Sequence, residues 1–223
     1  RAATLKPSAR ARRSGGGGLS EGFRYVASRR DFRAILILLF LIGTFGLNFP
    51  IFISTMAVGV FHSDARGFGL LSSMMAIGTI SGSLLAARRE RPRVSTLAVG
   101  AAVFGVGCTL AALAPTYVLF GVTLVVIGLA ALTITNSTNS FMQLGTPPPL
   151  RGRVMAVRLA VALGTTPVGA PIVGWVADRF GPRWALAVGA ASGFAGAVVA
   201  FAAHRGGPPD AATSPEVPAA KRA

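Results

Sequence analysis

Long runs without a charged side chain divide this sequence and decide which solvent it requires. There are five such runs, and each is bounded by two charged residues. The boundaries are Arg33 and Asp64, Arg66 and Arg88, Arg93 and Arg151, Arg158 and Asp178, and Arg183 and Arg205. A bilayer span needs roughly 20 apolar residues, because the hydrocarbon core is ~30 Å thick and a helix rises ~1.5 Å per residue. Four runs fit one span each, and the third fits two. The runs therefore predict an all-α membrane protein with six transmembrane helices.

Prolines and turn residues set the expected ends of these helices. "LAPTY" separates the third span from the fourth, and the three prolines of "GTPPPL" end the fourth. The predicted spans cover approximately residues 34–60, 67–87, 94–113, 116–142, 155–177 and 183–203.

The net charge of +15 raises the alternative of a nucleic-acid partner. A nucleic-acid footprint is a basic face on a folded domain. Here the arginines separate apolar runs or lie near the ends of the chain, and only 13% of residues are charged against about a quarter in soluble domains. We expect a lipid bilayer and no nucleic acid as the partner.

The basic residues are distributed unequally between the two sides of the predicted bundle. Of the 22 Lys and Arg residues, nineteen fall on the side of the N-terminus, and the other side has only Arg66, Arg179 and Arg183. Cytoplasmic loops are enriched in Lys and Arg. The pattern predicts both termini and the loop 144–153 in the cytoplasm.

Three regions follow from this reading. Residues 1–33 form a basic cytoplasmic linker, residues 34–203 the six-helix transmembrane bundle, and residues 204–223 a disordered cytoplasmic tail rich in Pro and Ala. The chain begins with Arg1 and shows no signal peptide, and we expect a further segment upstream.

A weak internal repeat suggests the arrangement of the bundle. "AARRERPRVSTLAVGAA" (86–102) is similar to "VADRFGPRWALAVGAA" (176–191), an offset of three helices. Because three is odd, the copies would have opposite topology, as in the three-plus-three inverted repeats of transporters.

Catalytic and metal-binding groups are scarce inside the predicted spans. Asp, Glu, Lys and His do not occur away from the span ends, and Cys108 is the single cysteine. Proton relays, Ser-His hydrolases and metal carriers need such groups within the membrane. We therefore expect neither an enzyme nor a metal site nor a cofactor.

Neutral polar residues gather instead on the first and fourth spans. They are Thr44, Asn48 and Thr55 on the first span, and Thr133, Asn136, Ser137, Asn139, Ser140 and Gln143 on the fourth. Amides in hydrocarbon need a partner or water. One interpretation is hydrogen bonding between helices, and the other is a water-lined substrate cavity in which Pro50 marks a flexible point of the first span.

Three arginines follow the proline turn. Arg151 and Arg153 suit simple anchoring at lipid headgroups or, alternatively, an interdomain latch at the cytoplasmic face. Arg158 is expected about one turn inside the fifth helix, where its long side chain can reach back to the interface.

Several blocks resemble a known family. They are "EGFRYVASRRDFRAILIL", "GTFGLNFP", "GFGLLSSMMAIGTISGSLLAARR", "NSTNSFMQLGTPPPLRGRVMAV" and "GTTPVGAPIVGWVADRFGPRWAL". Together they are similar to the C-terminal half of a major facilitator superfamily transporter, in the branch of enterobactin-exporter-like and transmembrane secretion effector proteins. These are mostly bacterial drug and siderophore exporters.

The resemblance implies that the six helices are the last six of twelve and that the missing partner is an N-terminal six-helix half. It also implies cavity-lining first and fourth spans. Conformational or packing roles would fall to Gly152 of "RGRVM" and to a glycine- and proline-rich fifth span with Gly164, Gly169, Pro171 and Gly174. The loop "RRERPR" departs from the family because it lacks a Gly-x-x-x-Asp pattern, which puts a latch there in doubt.

The function that this reading predicts is export of a small molecule. The chain would be half of a proton-coupled, alternating-access exporter in the bacterial inner membrane, with the proton-coupling residue in the missing half. The alternatives are a self-associating six-helix channel or carrier, and an inactive truncated fragment.

Overall fold

The computed structural model of the chain describes residues 19–88 and 94–205. Within these residues the chain is helical and contains no β-strand. The elements in order are α1 (Leu19–Ser28), α2 (Arg30–Leu41), a π-helical segment (Ile42–Gly46), α3 (Phe49–Gly59), α4 (Ala65–Ala87), α5 (Val94–Leu113), α6 (Tyr117–Leu144), α7 (Pro148–Gly164), α8 (Thr166–Phe180) and α9 (Pro182–Arg205). Residues 1–18 of the predicted linker, the arginines of the loop at 89–93 and the predicted tail from residue 206 lie outside the described residues.

These elements confirm the predicted all-helical fold with six spans. The stretches long and apolar enough to cross a membrane are Arg30–Gly59, Ala65–Ala87, Val94–Leu113, Tyr117–Leu144, Pro148–Phe180 and Pro182–Arg205. The first span joins α2, the π segment and α3, and the fifth joins α7 and α8.

Local sequence signals explain most helix ends. Asp64 caps α4 by accepting a hydrogen bond from the backbone N–H of Gly67 at 3.1 Å, and Thr116 caps α6 through the N–H of Leu119 at 3.3 Å. Gly181 separates α8 from α9 with a φ of +99°, a conformation that favours glycine. Short polar side chains and glycine thus set where these spans begin and end.

The proline turn behaves differently from the expectation. α6 ends at Leu144 as the prolines predict, but α7 already begins at Pro148, several residues before the predicted start at 155. Proline is well tolerated in the first turn of a helix, because the N–H that it lacks would have no partner there. The prolines therefore end one helix and start the next.

Glycines bring α4 and α6 into close contact. A Cβ added to Gly78 would lie 2.0 Å from the carbonyl oxygen of Val125, and one added to Gly82 would lie 2.4 Å from that of Leu129. Gly128 on α6 faces the carbonyl of Met75 in the same way, at 2.6 Å. Small residues allow this approach in membrane bundles, where packing rather than the hydrophobic effect holds helices together.

A second close pair, α5 and α9, forms the centre of the bundle. The Cβ position of Gly193 lies 2.7 Å from the Cα of Gly105, and Phe104 is fully buried beside this crossing. At one end of the pair the guanidinium of Arg183 donates to the carbonyl oxygens of Ala112 and Ala114, each at 3.2 Å. Arg183 thereby closes the end of α5 against the start of α9.

Two spans remain largely uncovered. Only 17% of the most apolar window is buried in the second span and in the fifth, against 44–56% in the other four. The uncovered side chains are large and apolar, among them Leu70, Ile77, Ile80, Leu159, Leu163 and Trp175. The bundle thus presents two apolar helices to lipid or to another protein surface.

The six spans alternate in direction, which defines two ends of the bundle. We call the end at Arg30, Leu144 and Arg205 the basic end, and the end at Val60, Leu113 and Phe180 the opposite end.

Candidate functional site

A polar face runs along the last third of α6, near the basic end. Asn136, Asn139 and Ser140 are half-buried and Gln143 is exposed, and their side chains make no hydrogen bond to any described group. At 100° per residue these four positions fall on one side of the helix. The face therefore offers free amide and hydroxyl groups at membrane depth. We name it the α6 polar face.

The neighbouring hydroxyl groups of Thr133 and Thr138 are hydrogen-bonded, one between helices and one within α6. Thr133 is buried and donates to the carbonyl oxygen of Gly82 on α4 at 3.3 Å. Ser137 is also buried, and Thr138 donates to the carbonyl of Thr135 at 2.8 Å. Thr133 thus shows the interhelical hydrogen bonding that was one interpretation of this cluster, whereas the α6 polar face does not.

Two helices pack on α6 near the polar face. α4 packs on the same side of α6 but nearer to the opposite end, through the contacts of its glycines with Val125 and Leu129 and the bond to Thr133. Beside the polar face, Arg158 of α7 donates from Nη2 to the carbonyl oxygen of Thr135 at 2.8 Å and to Oγ1 of Thr138 at 3.2 Å. α4 and α7 belong to the two sparsely covered spans of the bundle.

Arg158 lies deeper than the sequence suggested. Because α7 starts at Pro148, this arginine is almost three turns into the helix rather than one, and only 7% of it is exposed. It bonds to α6 instead of reaching the interface. Arg151 is exposed at the basic end.

The polar residues of the first span are placed elsewhere. The π segment and the two residues after it interrupt this span, and α3 begins with Pro50 in its first turn. The amide of Asn48 donates to the carbonyl of Thr44 at 2.7 Å, and the hydroxyl of Thr55 to the carbonyl of Ile51 at 2.7 Å. The π segment packs against α8 and α9, so the structure does not bring Thr44 and Asn48 onto the α6 polar face.

This interruption carries an unpaired group. The hydroxyl oxygen of Thr44 is buried and has no hydrogen-bond partner among the described residues. Single-turn π segments of this kind occur frequently at functional sites. The break lies directly beside Pro50, where the sequence predicted flexibility.

The glycines and prolines of the fifth span divide into two groups. Gly169 lies against the backbone of Thr44 and leaves no room for a Cβ. Gly152, Gly164 and Gly174 have no atom within 4 Å of a Cβ position, and Pro171 is exposed on α8. Among these residues only Gly169 makes a close approach within the described bundle.

Helix α1 was not expected from the sequence. It packs on α7, where Glu21 forms an ion pair with Arg153 and Gly22 lies against the backbone of that arginine. Tyr25 and Arg29 both donate to the carbonyl of Gly145, at 3.4 and 3.1 Å. The C-terminal part of the predicted linker is thus a helix that packs against α7 and is hydrogen-bonded to the turn between α6 and α7. The apolar residues Leu19, Phe23 and Val26 recur at the helical spacing i, i+4 and i+7 with charged residues between them, and this spacing is the signal that could have revealed the helix.

Two apolar pockets lie between the helices of the bundle. One, of about 580 Å³, lies between α1, α2 and α7 and is lined by residues such as Phe23, Phe40 and Val161. The other, of about 340 Å³, lies between α4, α5 and α6 beside Thr133.

Within residues 19–88 and 94–205, no three His, Cys, Asp or Glu side chains come together in a group that could hold a metal ion.

Comparison with known families decides the identity of this bundle. The family model described as transmembrane secretion effector matches residues 4–216, nearly the whole chain. The chain belongs to the transmembrane secretion effector family. A search of curated proteins found no match.

Family membership confirms the resemblance to major facilitator transporters and agrees with the six apolar spans. The chain is a multipass membrane protein of a transport family, and its surroundings are the lipid bilayer.

Proposed function

We propose that this transmembrane secretion effector chain is half of an exporter of small molecules that works by alternating access. The α6 polar face would form one wall of a central cavity, with Asn136, Asn139, Ser140 and Gln143 in contact with substrate. The observation that carries the proposal is that these polar groups share one side of the fourth span and make no hydrogen bond to any other residue within 19–88 and 94–205. Unpaired amides are costly in hydrocarbon, so water or a substrate must meet them.

The sparse cover of the second and fifth spans supports a companion half. Six further helices packed on α4 and on α7–α8 would cover the exposed apolar side chains and enclose the polar face between two bundles. Transporters built from two such units bind substrate near the midplane and rock around it. The π segment and Pro50 provide a point of bending in the first span, and Thr44, Asn48 and Thr55 would act through that point.

We further propose that export is coupled to protons and that the coupling residue lies in the companion half. The carboxylates of the described residues are Glu21, Asp31, Asp64 and Asp178, all at span ends. A proton relay within the membrane requires an ionisable group there. Export by the full-length protein that ignored the proton gradient would contradict this coupling.

The basic end is proposed to face the cytoplasm of a bacterium, with the inner membrane as the location. Cysteines placed at Pro149 and at Ala65 would test this orientation, since both are exposed and lie at different ends. A membrane-impermeant reagent applied to whole cells should label Ala65→Cys and spare Pro149→Cys. The reverse pattern would overturn the orientation.

Efflux from cells that express the full-length gene tests the cavity. Asn136→Ala and Asn139→Ala should slow the export of at least one compound, whereas Thr109→Ala should not, because the Thr109 hydroxyl is bonded within α5 to Gly105. Asn48→Ala tests the first span separately, through loss of its bond to Thr44. Wild-type rates for every tested compound in both α6 variants would show that the polar face is not the cavity.

Self-association of the six-helix chain is the second candidate, because a second copy could also cover α4 and α7. The DNA upstream of Arg1 separates the candidates. Six further spans encoded in frame support the half-carrier, and a start codon near Arg1 supports a self-associating or inactive short protein.

A further inference from the structure

Arg158 is the most deeply placed charged residue in the described spans. It lies ten residues beyond Pro148, roughly 15 Å along the helix at ~1.5 Å per residue. The residues to which it bonds, Thr135 and Thr138, are likewise well inside the end of α6 at Leu144. An ionisable group at such depth marks a functional site more often than not, because its burial is costly.

The guanidinium of Arg158 uses only part of its bonding capacity. It carries five N–H donors, and both of its described hydrogen bonds come from Nη2. The buried Nε has no partner, and Nη1 donates to no described group. Each edge of the planar group that could hold two oxygens includes Nη2, which is already engaged. Nη1 keeps both of its N–H donors free and is not fully buried, so it can donate to an oxygen of a carboxylate or a similar oxyanion.

The charge of Arg158 also lacks a counter-ion among the described residues. Glu21 pairs with Arg153 and Asp31 with Arg29, while Asp64 and Asp178 lie at the opposite end. A buried cation without a partner costs several kcal/mol even after relaxation. The arrangement becomes favourable when a negatively charged group approaches the free N–H donors of Nη1.

The α6 polar face adjoins this charge. Arg158 bonds to Thr138, and Asn139 is the next residue of α6, with an amide that bonds to no described group. From this juxtaposition of a buried guanidinium without a counter-ion and of amides without a partner, both among the described residues, we infer that Arg158 binds the anionic group of the transported substrate. Its substrates would be organic anions such as carboxylates. This inference rests on the proposed export function and narrows it to one class of compound.

Binding of three aromatic probes that differ in charge tests the inference directly. The probes are 2-naphthoate, 2-naphthamide and 2-naphthylmethylammonium, and their affinities for the purified full-length protein are measured by its tryptophan fluorescence. The wild type should bind the naphthoate at least about tenfold more tightly than the other two, since hydrogen bonds to charged groups contribute more than neutral ones. Arg158→Gln should remove this preference, and Arg158→Lys should keep part of it.

Two control variants separate charge recognition from simple bracing of α7 against α6. Thr138→Val removes one acceptor of Arg158 and weakens the brace, yet keeps the charge, so the preference for naphthoate should persist. Arg88→Gln removes an exposed charge at the basic end and should leave all three affinities unchanged. Loss of the preference in Thr138→Val as much as in Arg158→Gln would show that the arginine acts only as a brace.

Equal affinity of the wild type for the three probes would overturn the inference, since the counter-ion of Arg158 would then belong to the protein itself. Binding is measured apart from transport, so the two proposals can fail separately. A protein that exports compounds in the efflux assay but ignores probe charge keeps the proposed function and loses this inference. A protein that prefers naphthoate but exports nothing loses the exporter function.

Discussion

Gly169 on α8 lies so close to Thr44 that a Cβ at its position would be 1.6 Å from the carbonyl oxygen of that threonine. The same carbonyl oxygen accepts a hydrogen bond from Nδ2 of Asn48 at 2.7 Å. The interrupted part of the first span is therefore held from two sides, by its own side chain and by the fifth span. Bending at the π segment would have to carry α8 with it, because Gly169 lies against the backbone of Thr44.

Substitution of Gly169 should destabilise the protein. In Gly169→Ala the new methyl group meets a backbone atom that cannot rotate away, and overpacking of this kind typically costs ~1–3 kcal/mol. The melting temperature of the purified full-length protein measures the effect. Gly174→Ala on the same helix is the matched control, with no atom within 4 Å of the added Cβ, and it should melt at or slightly above the wild-type temperature. Equal melting of the two variants would refute the close contact.

The contact between α4 and α6 should be equally sensitive. Gly78→Ala and Gly82→Ala would force α4 away from the backbone of α6, and we expect each variant to melt earlier than the wild type. Gly69→Ala, on the same helix but in open space, should melt at or slightly above the wild-type temperature. If all three variants behaved alike, helix propensity rather than packing would control the stability of α4.

The ion pair between Glu21 and Arg153 should contribute little to stability. Both side chains are partly exposed, at 45% and 33%, and exposed pairs typically contribute ~0–1 kcal/mol. A double-mutant cycle with Glu21→Gln and Arg153→Gln measures the coupling energy, which should decrease when salt is added. A coupling that is large and insensitive to salt would mean that the pair is shielded from water in the full-length protein.

The sequence was informative about spans because charge-free runs follow directly from the cost of charge in lipid. It predicted six helices and placed Asn136, Asn139, Ser140 and Gln143 on one helix. It could not show which of these groups are paired, because Thr133 finds its acceptor at Gly82, far away in the sequence. The separation of Thr44 and Asn48 from that face has the same origin, since the packing of the π segment on α8 and α9 depends on the whole bundle.

The sequence also predicts a wrong start for α7, because proline can either end a helix or begin one. The prolines of "GTPPPL" predict a break, but in the structure they form the first turn of α7. Arg158 therefore lies deeper in the bundle than the sequence predicts. Helix α1 is short, and its contacts are with Gly145 and Arg153, which are remote in the sequence. Because these contacts stabilise it, its position could not be predicted from the local sequence.

Access of water to the α6 polar face tests the central claim most directly. Asn139→Cys and Val198→Cys place a single reactive thiol at similar distances from the basic end, in full-length protein without other accessible cysteines. Asn139 lies on the proposed cavity wall, and Val198 is exposed on α9, on the outside of the bundle. A water-soluble thiol reagent applied to inside-out vesicles should modify Asn139→Cys rapidly and leave Val198→Cys unmodified. Equally slow modification of both positions would contradict the account, because the α6 polar face would then meet lipid or protein and not a cavity filled with water.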